Sequence, residues 1–337
     1  MKLQTKVISA VVAGTVLAAA AASAQDMIFW RIGTGSAGGT YFPIGGVIAN
    51  AISNPPGSRP CDKGGSCGVP GLVAIAQSTN ASAHNVTAIE AGQMEAGLTG
   101  AATLYQAYHG VGKFEGNQKG KLRVIANLFP EDMHLVLPKG GKLASLKDLK
   151  GKRVGIAQAG SGTQIAVMMI LEGQGITRDD IEEAELNNSQ SAERIADGQL
   201  DAYFYAAGTP VAAMVQLSTT KGMDLYSFSD DEVKAVNKIL PYYVPSKIDA
   251  GTYEGIGYDV NTVAVQGILV TSAEQPDDLI YEITKAMWND NSRKLLDNGH
   301  AKGKVIRPET ALKGIAGLEV PLHAGAEKFY KEAGLLK

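Results

Sequence analysis

The sequence predicts an α/β chain wound into two lobes. Three observations carry this. A strand, a glycine-rich turn and a helix follow one another twice, first over residues 27–52 and again over 153–171, the alternation that builds doubly wound sheets. About 310 residues remain after an N-terminal leader, more than one hydrophobic core ordinarily covers. Glycine is abundant at 40 residues and aromatics are few at 6%, which suits many tight strand-to-helix turns.

The leader reads as an export signal. Lys2 and Lys6 give a positive start, residues 7–22 are apolar and uncharged, and Ala22-Ser23-Ala24 is a small-x-small cleavage site. The mature chain is therefore expected to begin near Gln25 and to work in the periplasm. The apolar run is too short and too rich in Ala and Gly for a comfortable span of about 20 residues. No cysteine stands at the cut to take a lipid anchor. Removing Lys2 and Lys6 leaves 29 basic residues against 34 acidic ones, a net charge of −5. That balance argues against nucleic acid or an acidic membrane face as partner.

The first lobe opens with a buried strand over 27–32 and the glycine turn 33–39. A helix over 41–52 follows, with Ile44, Val47, Ile48 and Ile52 on one apolar face. A Pro- and Gly-rich loop holds the two cysteines, Cys61 and Cys67, for which a disulfide is the default in an oxidising compartment. So short a loop pins itself rather than the fold. No histidine stands near to make it a metal site. Strands are expected over 72–77, 96–99 and 122–128, and a helix over 85–91.

The second lobe begins with a strand over 133–137 and the loop 138–141. Residues 146–156 run into a strand, followed by the turn 160–163 and a helix over 165–171. A helix over 191–197, a strand over 200–205 and a helix over 210–217 come next. A late strand over 263–270 leads into helices over 277–288 and 324–333. The lobes are thus 25–132 and 133–268, with 269–337 returning to the first. The chain crosses near His134 and returns near Ile268, and two extended crossings can act as a hinge.

Several motifs bear on chemistry. Gly33-Thr34-Gly35-Ser36-Ala37-Gly38 fits the dinucleotide fingerprint in the right strand-to-helix context. The fingerprint also needs an acidic residue about 20 positions on, and nothing acidic lies between Asp26 and Asp62. What survives is a helix N-terminus able to receive an anion. Gly64-Gly65-Ser66-Cys67-Gly68 matches a hydrolase elbow in letters, but a Pro-rich loop precedes it and Val69-Pro70-Gly71 follows, where a strand and a helix are required. Gly160-Ser161-Gly162-Thr163 offers hydroxyls and amides to a ligand and equally caps a helix. Ser78-Thr79-Asn80-Ala81-Ser82, a third polar cluster, falls at the same carboxyl edge of the sheet as the first turn and equally reads as a capped loop. The five histidines are scattered, and no Ser–His–Asp set or metal spacing emerges. Neither catalysis, metal nor cofactor is expected.

Taken in order, these clusters resemble a known family. Ile32-Gly33-Thr34-Gly35 with Gly38-Gly39-Thr40-Tyr41-Phe42-Pro43-Ile44-Gly45, Ser78-Thr79, Leu149-Lys150-Gly151-Lys152-Arg153-Val154 and Gly160-Ser161-Gly162-Thr163 carry the likeness. It continues through Asp197-Gly198-Gln199-Leu200-Asp201-Ala202, Gly251-Thr252-Tyr253, residues 279–285 and His323-Ala324-Gly325-Ala326. The chain is similar to the solute receptors of TRAP transporters of the TAXI type. The resemblance implies a type II periplasmic-binding-protein fold, two doubly wound lobes with a two-strand hinge. It further implies a TRAP-type membrane permease as partner and a small carboxylate, such as glutamate or a related dicarboxylate, as ligand. Gly35, Ser36, Thr40, Tyr41, Ser78, Thr79, Asn80, Ser161, Gly162 and Thr163 become the ligand shell, with Tyr205 and Pro210 added from the strand and helix facing the cleft. Where the family usually has two glycines after Ser-Thr, this chain has Asn80 and Ala81, and the Cys61–Cys67 insertion is absent from many members.

The expected mechanism is closure of a monomer. A carboxylate bridging the lobes gains charge-assisted hydrogen bonds of roughly 1.5–3 kcal/mol each, and the closed state is favoured because the ligand touches both lobes. A binding protein of another transporter class, or an exported hydrolase, are the alternatives.

Overall fold

The computed structural model describes residues 27–336, so the expected leader lies outside the described residues. In chain order the elements are β1 (Ile28–Gly33), α1 (Tyr41–Ile52), β2 (Ser53–Asn54), β3 (Val69–Pro70), β4 (Leu72–Gln77), α2 (Ser82–Glu90), β5 (Ala96–Gly100), α3 (Ala101–His109) and β6 (Leu122–Pro138). There follow β7 (Arg153–Gly155), α4 (Gly162–Gly173), β8 (Glu182–Ala184), α5 (Asn188–Ala196), β9 (Ala202–Ala207), α6 (Ala212–Thr220), β10 (Met223–Leu225), α7 (Asp230–Ile239) and β11 (Val244–Ile248). The chain ends with β12 (Val260–Ser272), α8 (Asp277–Met287), α9 (Asp290–Gly299) and α10 (Ala324–Glu332).

Eight strands join in the order β4-β1-β5-β12-β6-β9-β7-β8, with β10 on β6 and β11 on β12 in the same sheet, while β2 and β3 pair with each other apart from it. Each end is parallel, β4-β1-β5 in one half and β9-β7-β8 in the other, and each strand feeds a helix laid on the sheet. Between them β6 and β12 run antiparallel to each other and to their outer neighbours. β6 is 17 residues long. It pairs with β12 over most of its first part and with β9 from Asp132 to Val136. β12 pairs with β5 from Gly267 onward and with β11 before Val265. Both long strands therefore serve both halves, and the register of β12 on β6 shifts at Gly267/Ile268, an irregularity that lets a strand bend.

Two expected strands, 122–128 and 133–137, are thus one. The apparent gap at Phe129-Pro130-Glu131 is not a break: Pro130 stands opposite Gln266 beside the register shift, where a missing N–H is tolerated. The ladder makes the whole a single continuous sheet, with the hinge expected of two crossings built from β6 and β12. α1 and β4 occupy the expected residues. α2 begins at Ser82, three residues earlier than expected, and α3 and α7 were not expected at all.

Three apolar clusters fill the layers. Trp30, Ile32, Ile44 and Leu98 pack with Ile280 and Tyr330 in the first half. Tyr203, Met214, Leu217 and Tyr253 pack in the second. A third cluster joins Val86 and Leu104 of the first half to Val154 and Val167 of the second. Apolar burial, worth about 25 cal/mol per Å², therefore runs across the seam as well as within each half. Cys61 and Cys67 are bonded as a disulfide. Among the described residues no helix is long and apolar enough to cross a membrane.

Candidate functional site

The carboxyl ends of the parallel strands in both halves face one another, the edge at which open α/β sheets bind ligands. From the first half come the turn after β1, the loop between β4 and α2, the β5–α3 junction and Glu131 on β6. From the second come the loop between β7 and α4 and the end of β9. Together they wall a cavity of about 30 Å³ as swept by the centre of a water molecule.

Gly35, Thr40, Tyr41, Ser161, Gly162, Thr163 and Tyr205 all line this cavity. Ser36, Ser78, Thr79 and Asn80 line instead a more open, polar mouth, shared with Asn187 and Gln190, and Gln158 belongs to both spaces. The hydroxyls of the 78–79 pair are spent on local structure: Ser78 donates to the Gly35 carbonyl at 3.0 Å, and Thr79 to that of Thr34 at 3.0 Å. Pro210 lines neither space; it follows a cis peptide after Thr209. Ser161 caps α4, accepting from the Gln164 amide at 3.1 Å, while remaining on the cavity wall. Thr163 Oγ1 accepts from the Ala206 amide at 3.2 Å.

The two halves bond to each other directly. Thr40 Oγ1 donates to the Gly208 carbonyl at 2.5 Å. The Gly38 carbonyl accepts from Asn188 Nδ2 at 3.0 Å and from the Ala213 amide at 3.2 Å. The Ala83 and His84 amides, at the start of α2, both donate to the Gly160 carbonyl at 3.1 Å. The N-terminus of α2 is thus occupied by a carbonyl of the other half. One expectation changes here. Closure is held by protein–protein bonds as well as by whatever bridges the cavity.

Glycines make this approach possible. A Cβ on Gly39 would run into the Tyr205 hydroxyl and one on Gly38 into Ser189 Oγ. One on Gly162 would stand 2.8 Å from Thr103 Oγ1 and 2.9 Å from Ser82 Oγ. Ala81 and Ala157 flank the cleft with φ of 68° and 66°. Ala81 pairs this with ψ of −145°, a region held almost only by glycine. The strained position is the one where the resembling family usually carries a glycine.

Sequence reasoning missed the group that dominates the electrostatics. Glu131 is 5% exposed and takes a hydrogen bond from the Tyr41 hydroxyl. Burial, and secondarily the adjacent Asp132, push its carboxyl up to about 8, against the lowering effect of the Tyr41 bond. Burial also raises Tyr41, Tyr205 and Tyr243 above the ordinary tyrosine value. Among the described residues that line the cavity, none is Lys, Arg or His, and Glu131 is the one carboxyl. Ser82, the last residue of the polar cluster that begins at Ser78, also lines the cavity, and Thr103, Gln158 and Tyr243 are further lining residues not foreseen. Gln158 Oε1 is buried without a partner.

Behind the cavity, Asp132 forms the centre of a polar knot at the crossing. It accepts from Thr209 at 2.5 Å and Ser246 at 2.7 Å, and Lys302 Nζ lies at 3.7 Å. His134 Nδ1 donates to the carbonyls of Asp132 and Tyr205, and its Nε2 accepts from the Tyr253 hydroxyl at 2.9 Å. Burial lowers the His134 pKa, which fits a neutral ring serving this network.

A family model described as the NMT1-like family matches residues 32–334. Among solved structures, the periplasmic binding protein BugD aligns at 12% identity and a TM-score of 0.53, over 92% of this chain and 98% of its own. PhnD1 from Prochlorococcus marinus, in complex with methylphosphonate, aligns at 12% identity and 0.51, over 91% and 99%. A binding-protein component of an ABC phosphonate transporter from Pseudomonas aeruginosa aligns at 10% identity and 0.49, over 81% and 79%. At these identities the likeness to BugD and PhnD1 is one of fold: the chain has the periplasmic-binding-protein architecture.

Proposed function

We propose that this chain, which belongs to the NMT1-like family, is an exported solute-binding protein of a membrane transporter, closing over a small anionic solute without transforming it. The observation that carries the reading is one cavity walled by both halves and sealed by hydrogen bonds between them. A ligand held there stabilises the closed form because it touches both sides. In this reading residues 25–132 and 269–337 form one lobe and 133–268 the other, and the protein works as a monomer. The reading is one of binding rather than turnover, as for the periplasmic binding proteins that share the fold.

The motifs shared with TAXI-type receptors point to a TRAP permease and a carboxylate. The comparisons lend better support to the alternative, a receptor of another transporter class such as an ABC system. Carboxylate, sulfonate and phosphonate share the feature the cavity suits, an anionic group that accepts hydrogen bonds from hydroxyls and amides.

A thermal-shift screen of dicarboxylates, keto acids, alkanesulfonates and alkylphosphonates tests the reading, followed by X-ray scattering. A bound anion should raise the melting temperature and shrink the radius of gyration. If no member of the four classes binds, or a bound one leaves the radius unchanged, solute capture by closure is wrong.

A further inference from the structure

We propose that Glu131 keeps its proton and donates a hydrogen bond to the anionic group of the solute, in the place an arginine or lysine would otherwise hold, so that solute and proton bind together. The inference rests on the solute-binding reading above and adds the chemistry of recognition.

The geometry comes first. Glu131 is buried on the cavity wall, and one of its oxygens already accepts from Tyr41. Gly267, opposite on β12, leaves it space: a Cβ there would stand 2.5 Å from Glu131 Oε1. Its other oxygen, Oε2, lies 4.0 Å from where a Cβ on Gly100 would sit, and Gly100 also lines the cavity. An ionised carboxylate at that spot would repel an anion in a low-dielectric, water-poor space. A protonated one offers the short O–H···O⁻ bond that is among the strongest available to a neutral donor.

The surroundings favour the neutral acid. Tyr41 faces Glu131 from α1, Tyr205 from β9 and Tyr243 from the segment before β11, and all three are held protonated beyond the ordinary tyrosine range. Asp132, next along β6, adds a like charge. The nearby cation, Lys302, is directed to Asp132, and His134 is pushed toward its neutral form by burial. Desolvation then holds the Glu131 proton to about pH 8.

The probes are pyruvate, 2-oxoglutarate and ethanesulfonate, whose own anionic groups stay ionised from pH 6 to 9. Calorimetric titration of the wild-type protein with whichever binds should show affinity falling about tenfold between pH 7 and pH 9. Titrations in two buffers of different ionisation heat should show nearly one proton taken up per solute at pH 9 and almost none at pH 6. In Glu131→Gln, whatever its absolute affinity, the values at pH 7 and pH 9 should agree. Equal wild-type affinity at both pH values, or proton release on binding, overturns the role of Glu131 alone. Failure of all three probes to bind at pH 6 counts instead against the solute-binding reading.

Discussion

Replacing Gly162 with alanine separates closure from folding. Gly162 is the first residue of α4, in the second half, and its hydrogen faces helices α2 and α3 of the first. An added Cβ would stand 2.8 Å from Thr103 Oγ1, 2.9 Å from Ser82 Oγ and 3.1 Å from Ser82 Cβ. Ser82 cannot swing away freely, because its Oγ accepts from the Gly100 amide at 3.1 Å. Overpacking of this kind costs roughly 1–3 kcal/mol. Here the cost falls on the closed form only, which corresponds to an affinity loss of about 5- to 150-fold. With the halves apart the methyl meets nothing, and alanine favours the helix over glycine by roughly 0.5–1 kcal/mol. The expected result is weaker binding of the screened anion, a melting temperature of the solute-free protein that does not fall, and a larger radius of gyration at equal solute. Unchanged affinity with full compaction would refute the claim that this seam closes on the solute.

Three further outcomes follow from the same geometry. Lys302→Met should destabilise the fold by about 3 kcal/mol, the low end for breaking a buried pair, because the Thr209 and Ser246 hydroxyls still serve Asp132; adding Asp132→Asn should restore part of it, as read by denaturant titration. Ala81→Gly should stabilise the protein by about 1 kcal/mol by relieving the positive-φ strain, and an unchanged or lower midpoint would show that Ala81 is not strained. The third concerns pH. The Glu131 carboxyl titrates near 8 when folded against 4.5 as its reference value, so its contribution is fully present below pH 4.5 and is lost as pH rises through 8. The melting temperature of solute-free protein should decline over that window, and less steeply in Glu131→Gln; parallel profiles would place the Glu131 proton elsewhere.

Much of the fold was legible locally. Helix α1 shows its apolar face at Ile44, Ile48 and Ile52, all fully buried, and the glycine turns before α1 and α4 mark both cradles. α7 carried a readable signal that was passed over, a capping box of Ser229 and Glu232 before an amphipathic run. α3 carried none: Ala101 to Leu104, Gln106 and Ala107 are buried around almost its whole circumference, so no polar face interrupts the pattern. The strand β6 looked like two because Pro130 interrupts its centre, while its continuity depends on β12, more than 130 positions later.

The site divides the same way. By themselves the residues specify where small, hydroxyl-bearing turns precede helices, because glycine, serine and threonine act on their immediate backbone. They specify the local disulfide for the same reason of short range. Which of those turns meet is settled by tertiary structure. It brings Glu131 to Tyr41 across 90 positions and lays Gly160 against the start of α2. It also leaves Ser78 and Asn80 at the mouth while drawing Thr163 inside. Burial of a carboxyl and the approach of two backbones depend on residues distant in the chain, and no local pattern encodes the desolvation that turns Glu131 from a surface-type acid into a proton-holding wall of the cavity.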